Sequence, residues 1–180
     1  MREFRRSLPM SLLKAREAVM STFIPHLREH GLSAQQWRVL RALFDNLESG
    51  QAEMEMSSIA RQCYLLMPSL SRIIQFLEKR GLIERRTSEA DMRRAMIRLT
   101  AEGKELVNVM APQSEARYER ITQVFGYGKL ELLYELLDEL TEKLSAESES
   151  MENSSEEGDE MPAGEKPHDR GSQTKRAEGG

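Results

Sequence analysis

Cysteine occurs once in the 180 residues, as Cys63, which excludes a disulfide framework within the chain and fits a reducing cytoplasm. No apolar run approaches the ~20 residues that span a bilayer, so a membrane partner is not expected. The opening MREFRRSLPMSLLKAREAVM mixes basic and apolar residues, but Lys14, Arg16 and Glu17 interrupt any signal-peptide core. The three histidines, His26, His30 and His168, stand apart from other metal ligands, which argues against a metal site. There is no phosphate-binding glycine loop, nucleophile elbow or carboxylate pair. Neither enzymatic chemistry nor a cofactor is therefore expected.

Charge is present in quantity but is unevenly placed. The formal net charge is −4, yet residues 145–180 carry ten acidic and four basic side chains, leaving 1–144 with a small positive excess. Within 57–100 there are nine basic residues against four acidic ones. The overall acidity is thus a poor guide to partners, because binding responds to the local field.

Apolar spacing divides the chain. Leu12, Leu13, Ala15, Val19, Met20, Phe23, Ile24 and Leu27 repeat at helical intervals, with a break or kink expected at Pro25 and an end at Gly31. Ser33 with Gln36 three residues on forms a capping box for a second helix, whose apolar side is Trp37, Leu40, Leu43, Phe44 and Leu47. ESGQAEME reads as a polar loop. A short helix follows around SSIARQCYLL, capped by Ser57 or Ser58, and another begins at Pro68 and stops at Gly81. LIERRTS and AMIRLT read as two short strands, and two further helices come after them. The last of these carries leucines at 130, 132, 133, 136, 137, 140 and 144. The final 35 or so residues hold too little aliphatic surface to offset ordering entropy and read as a disordered acidic tail.

The expected fold is mainly α with a small β-hairpin wing (α+β), a winged helix-turn-helix flanked by dimerisation helices. The domains are 1–32, an N-terminal dimerisation helix; 33–100, a DNA-binding domain; 101–146, C-terminal dimerisation helices; and 147–180, the tail. On a helical wheel the 68–80 segment turns Leu70, Ile73, Ile74 and Leu77 inward and presents Arg72, Gln75 and Lys79 outward, flanked by Ser69 and Ser71. Such a face is most often merely solvated. Beside a short helix, a hairpin and a positive local charge, it reads better as a major-groove surface, since arginine suits guanine and glutamine suits adenine.

MPSLSRIIQFLEKRGLIERRTSEADMRRAMIRLTAEGKEL resembles the MarR family of winged-helix repressors. It carries the wing motif D-x-R at Asp91, Met92 and Arg93, then an L-T-x-x-G turn at Leu99, Thr100 and Gly103. The resemblance covers about residues 8–146. A narrower likeness, to regulators of homoprotocatechuate-degradation operons, rests on AREA from Ala15, QQWR from Gln35 and PSL from Pro68. The family implies a homodimer on a palindromic operator in double-stranded DNA, with Arg93 in the minor groove and Asp91 bracing it. Arg94 would meet a phosphate or pair with an acid at the wing base.

Relatives of this kind lose DNA affinity when a small aromatic acid binds, which implies a repressor of aromatic catabolism. Arg16 and Arg38 are candidates for the carboxylate, Trp37 for an aromatic wall and His26 for a phenolic hydroxyl, with Arg41 close by. Alternatives are a redox-responsive regulator using Cys63, or a protein-interaction adaptor that keeps the fold without binding DNA.

Overall fold

The computed structural model describes residue 4, residues 7–87 and residues 94–156, with side chains as far as 147. The elements run α1 (Leu8–Glu29), α2 (Ala34–Glu48), β1 (Met54–Glu55), α3 (Met56–Gln62), α4 (Met67–Lys79), β2 (Ile83–Thr87), β3 (Ala95–Leu99), α5 (Ala101–Phe125) and α6 (Tyr127–Glu156). Two compact units divide at Tyr127 and Gly128. The first holds α1 to α5 and the sheet, and the second holds nearly all of α6.

In the first unit, Val39, Leu40 and Leu43 of α2 meet Ile59 of α3 and Leu70, Ile74 and Leu77 of α4. Ile83, Ile97, Val107 and Met110 close this core from the sheet and α5. Each such side chain withdrawn from water stabilises the fold by about 1.5–3 kcal/mol. The expected α4 stripe is thus the face that packs, whereas on α2 the buried face is Val39, Leu40, Ala42 and Leu43, and Trp37, Phe44 and Leu47 are only half-buried at its edge. Ser33 and Gln36 cap α2 reciprocally: the Gln36 amide donates to Ser33 Oγ at 3.2 Å, and the Ser33 amide to Gln36 Oε1 at 2.8 Å.

Several elements differ from the sequence-based expectation. The stretch read as a polar loop contains β1, which pairs antiparallel with β3 (Met54 opposite Ile97, Glu55 opposite Met96) and gives a three-stranded sheet of order β1-β3-β2. A two-residue strand has no periodicity of its own, so only pairing defines it. Because β1 runs straight into α3, Glu55 takes the N-cap position and Ser57 falls inside the helix. Helix α1 continues through Pro25 instead of breaking there. The proline removes one intrahelical donor, but buried Phe23, His26 and Leu27 hold this turn in place. Arg117 of α5 also donates from Nε to the Thr22 carbonyl at 3.0 Å. Helix α6 extends to Glu156, beyond the leucine-rich stretch; no proline or glycine intervenes before Gly158. The rest of the expected tail lies outside the described residues.

The L-T-x-x-G turn has a physical basis in one corner of the first unit. Thr100 Oγ1 accepts from the Gly103 amide at 3.0 Å, capping α5, and donates to the Gly81 carbonyl at 2.6 Å. The Thr100 amide donates to the Leu82 carbonyl at 3.1 Å. Gly103 then passes so close that a Cβ there would lie 2.0 Å from the Leu82 carbonyl oxygen. Backbone cannot yield as a flexible side chain would, so Gly103→Ala should destabilise the protein by about 3 kcal/mol, the upper range for overpacking. Thermal or urea unfolding checks this, and a loss near zero would refute the close approach.

Candidate nucleic-acid interface and effector cavity

Helix α4 begins at Met67 with Pro68 in its first turn and Leu66 as an N-cap that makes no side-chain cap bond. Its inward residues are buried, whereas Ser69, Arg72, Gln75 and Lys79 are exposed and Ser71 is half-buried. These five side chains therefore lie together on or beside the outer face, a set of donors suited to base edges and phosphates. The next cation has a structural role. Arg80 Nη1 donates to the carbonyls of His30 and Gly31 at 3.2 and 3.1 Å, so it caps the end of α1, and its guanidinium lies over the Phe76 ring.

On the wing, β2 pairs with β3 from Ile83 opposite Leu99 to Thr87 opposite Ala95. Asp91 and Arg93 lie outside the described residues. Arg94 pairs with Glu55 of β1. Hydrogen bonding from Arg94, and then from Ser57, holds the Glu55 carboxyl below its ordinary range. Arg86 reaches Glu53 at 2.6 Å, and Arg98 Nε donates to Glu84 at 2.8 Å. Glu53 and Glu55 fall just outside the strongly positive window of residues 57–100. Extending that window to residues 53–100 leaves nine basic side chains against six acidic ones. The wing arginines named here are thus part of an ion-paired lattice as well as a source of positive potential.

A cavity of about 360 Å³ lies between α1, α2 and α5, lined by residues that include Met20, Phe23, Trp37, Arg38, Arg41 and Tyr118. Trp37 and Arg38 stand in its wall, together with Arg41, which also bonds Asp45 at 3.2 Å. The Phe23 and Tyr118 rings meet at 5.0 Å. Arg16 is placed elsewhere: it is exposed on α1 and paired with Glu17. His26 lies on the buried side of α1 and is not among the residues lining the cavity. Sequence spacing put all of these on neighbouring helices, but helical phase separates them.

Arg38 has a second partner that the sequence could not signal. Its Nη1 donates at 2.7 Å to the carbonyl of Cys63, the C-cap of α3, while Cys63 Sγ donates to the Arg38 carbonyl at 3.8 Å. A cavity-lining arginine is thereby tied to the first helix of the helix-turn-helix. Burial pushes the Cys63 thiol up despite the nearby guanidinium, which keeps it protonated and disfavours oxidation.

His26 is wholly buried, with no hydrogen bond of normal geometry at either ring nitrogen. Burial, then Arg117 and His30, lower its pKa below the usual 6.5, outweighing the Met110 carbonyl and Glu29, which favour the charged form. Well above pH 6.5 the imidazole is neutral in both folded and unfolded chains and contributes no pH dependence. As pH falls below that value the unfolded chain takes up the proton first, so stability should drop until the folded pKa is passed. Urea unfolding at pH 7.5 and 5.5 should show this loss, and His26→Leu should reduce it. An equal loss in both proteins would refute the assignment.

Comparison with known proteins agrees with this geometry. The family model described as "Transcriptional regulator SarA/Rot" matches residues 21–110. The chain is 37% identical over 134 residues to the HTH-type transcriptional regulator FarR of Neisseria gonorrhoeae, covering 74% of this chain and 88% of that one. It is 38% identical over 133 residues to the homoprotocatechuate degradative operon repressor of Escherichia coli, covering 74% and 86%. Among solved structures, NadR in complex with 4-hydroxyphenylacetate superposes with a TM-score of 0.68 at 35% identity, covering 78% of this chain and 98% of that one. Helices α3 and α4, followed by the β2–β3 wing, are the elements this likeness requires. The chain belongs to the MarR family of winged-helix transcriptional regulators.

Proposed function

We propose that this regulator represses an operon for the breakdown of aromatic acids, acting in the cytoplasm as a homodimer on a palindromic operator. A small phenolic or aryl-acetic acid releases it. The observation that carries this reading is the position of Arg38, which lines the cavity and holds the Cys63 carbonyl. An incoming carboxylate offers that guanidinium a charge-assisted partner, stronger than a neutral carbonyl. Engagement by the ligand then competes with the bond that steadies the end of α3, one residue before the turn that leads to α4. Trp37 and Tyr118 supply aromatic walls of the kind a phenyl ring favours. The repressor of homoprotocatechuate degradation and the NadR complex with 4-hydroxyphenylacetate support the chemical class. For release, the ligand must bind more tightly to the conformation that does not bind DNA; equal affinity for both would shift nothing.

Dimerisation has support in two elements. Helix α1 exposes Leu8, Leu12, Leu13 and Val19, and α6 exposes Leu132, Leu133, Leu136 and Leu144. Exposed apolar stripes of this extent call for a covering surface. A two-fold would present two copies of α4 one helical turn of DNA apart.

In an electrophoretic shift assay with the promoter region of its own gene, 4-hydroxyphenylacetate should release the full chain and raise its melting temperature. Arg38→Met should weaken the release. No effect of the acid at millimolar concentration would refute the ligand class. Arg93→Ala should weaken DNA binding at least tenfold, about 1.4 kcal/mol, at unchanged melting temperature. Unchanged affinity would remove Arg93 from the interface.

A further inference from the structure

The start of α4 carries an apolar patch that the fold does not use. Tyr64 and Leu66 are 81% and 78% exposed, and Met67, the first residue of the helix, is 45% exposed. Leu65 between them packs against the core instead. Leu66 occupies the N-cap with φ −70° and ψ 142°, a conformation in which serine, threonine or aspartate would accept a bond from a free helix amide. Leucine forgoes that bond and gains no burial in return. Tyr64 holds φ +50°, the left-handed region that β-carbon-bearing residues seldom adopt, and the turn it makes leads the chain into Leu66. Stability of the isolated chain therefore does not explain an apolar pair here.

We propose that Leu66 and Met67 read the C5 methyl group of thymine in the major groove of each half-site. The inference rests on α4 being the helix that enters that groove. In a helix-turn-helix the N-terminal residues of the second helix are those that reach base edges. The thymine methyl is the apolar group on those edges, and an aliphatic side chain is its complement. The patch adjoins Ser57 and Arg61 of α3, the latter a cation placed for the flanking phosphates, and the same helix goes on to expose Ser69, Arg72 and Gln75. An apolar surface set among cations and hydroxyls matches a groove in which methyl groups sit between polar base atoms and phosphates. A second copy of the chain, or a protein partner, would find less use for that surround.

Replacement of single thymines by deoxyuridine removes the methyl and keeps every hydrogen-bonding atom. Binding of the full chain is measured on a duplex selected from a random-sequence library, with uracil scanned across the half-site. One or two positions in each half-site should weaken wild-type binding about 3- to 10-fold. In Leu66→Ala or Met67→Ala the penalty at one of those positions should fall below 2-fold. Leu66→Ser should abolish it while keeping or raising the melting temperature, because serine is the better N-cap; this separates readout from folding. Uracil penalties that are absent, or identical in wild type and variants, overturn the proposal. So does a loss of self-association in the variants with the penalties intact, which would assign the patch to a protein contact. Failure to select any duplex is a different result, visible before any uracil is introduced. It would remove the DNA reading of α4 and this inference with it.

Discussion

The approach of Gly103 to the Leu82 carbonyl is the constraint on which the DNA-binding half of the molecule depends. At that corner α4 has just ended, β2 is about to begin, β3 has just returned and α5 starts. Thr100 caps α5 through the Gly103 amide and bonds the Gly81 and Leu82 carbonyls, so four elements share one small set of main-chain groups. The wing therefore leaves the end of α4 at a set angle, and α5 carries that geometry back to α1 and α2. A side chain at 103 would force these elements apart, because the nearest obstacle is the Leu82 backbone, with the Leu99 side chain behind it.

Charge on the wing is organised by pairing more than by excess. Glu53 and Glu55 enter from β1 and meet Arg86 and Arg94, while Glu84 meets Arg98 across the hairpin. The Glu84–Arg98 pair is exposed on both sides and adds little stability, whereas the Glu53 and Glu55 carboxylates are half-buried. The effect of the pairs is to orient guanidinium groups and to lower the local field below what a residue count implies. On α4 the outer face offers arginine, glutamine, lysine and hydroxyls, donors suited to base edges, whereas the wing is a frame braced by ion pairs.

The cavity and the helix-turn-helix share Arg38. In the release mechanism proposed above, this guanidinium between a cavity and a helix end is the element that both ligand and DNA states bias. His26, in contrast, is spent on packing: it fills the inner side of α1 beside Arg117 and His30, without the open edge that ligand binding requires.

Much of this architecture is legible along the chain. The apolar phase of α2 and α4, the Ser33–Gln36 capping box, the L-T-x-x-G turn and the outward set of α4 side chains are local patterns, and local patterns follow from helical geometry and capping chemistry. Other features have no local signature. Strand β1 exists only because β3 lies beside it, and α1 continues through Pro25 because α5 packs on that turn. Arg38, Arg80 and Arg117 bond main-chain carbonyls 25, 50 and 95 residues away. Every residue carries such a carbonyl, so sequence cannot mark which one is chosen. The sequence by itself determined which faces are apolar and which are polar; the tertiary structure alone decided which arginines are bound, which histidine is buried and which residues line one cavity. The physical reason is that burial and long-range hydrogen bonding depend on what lies across from a residue in space.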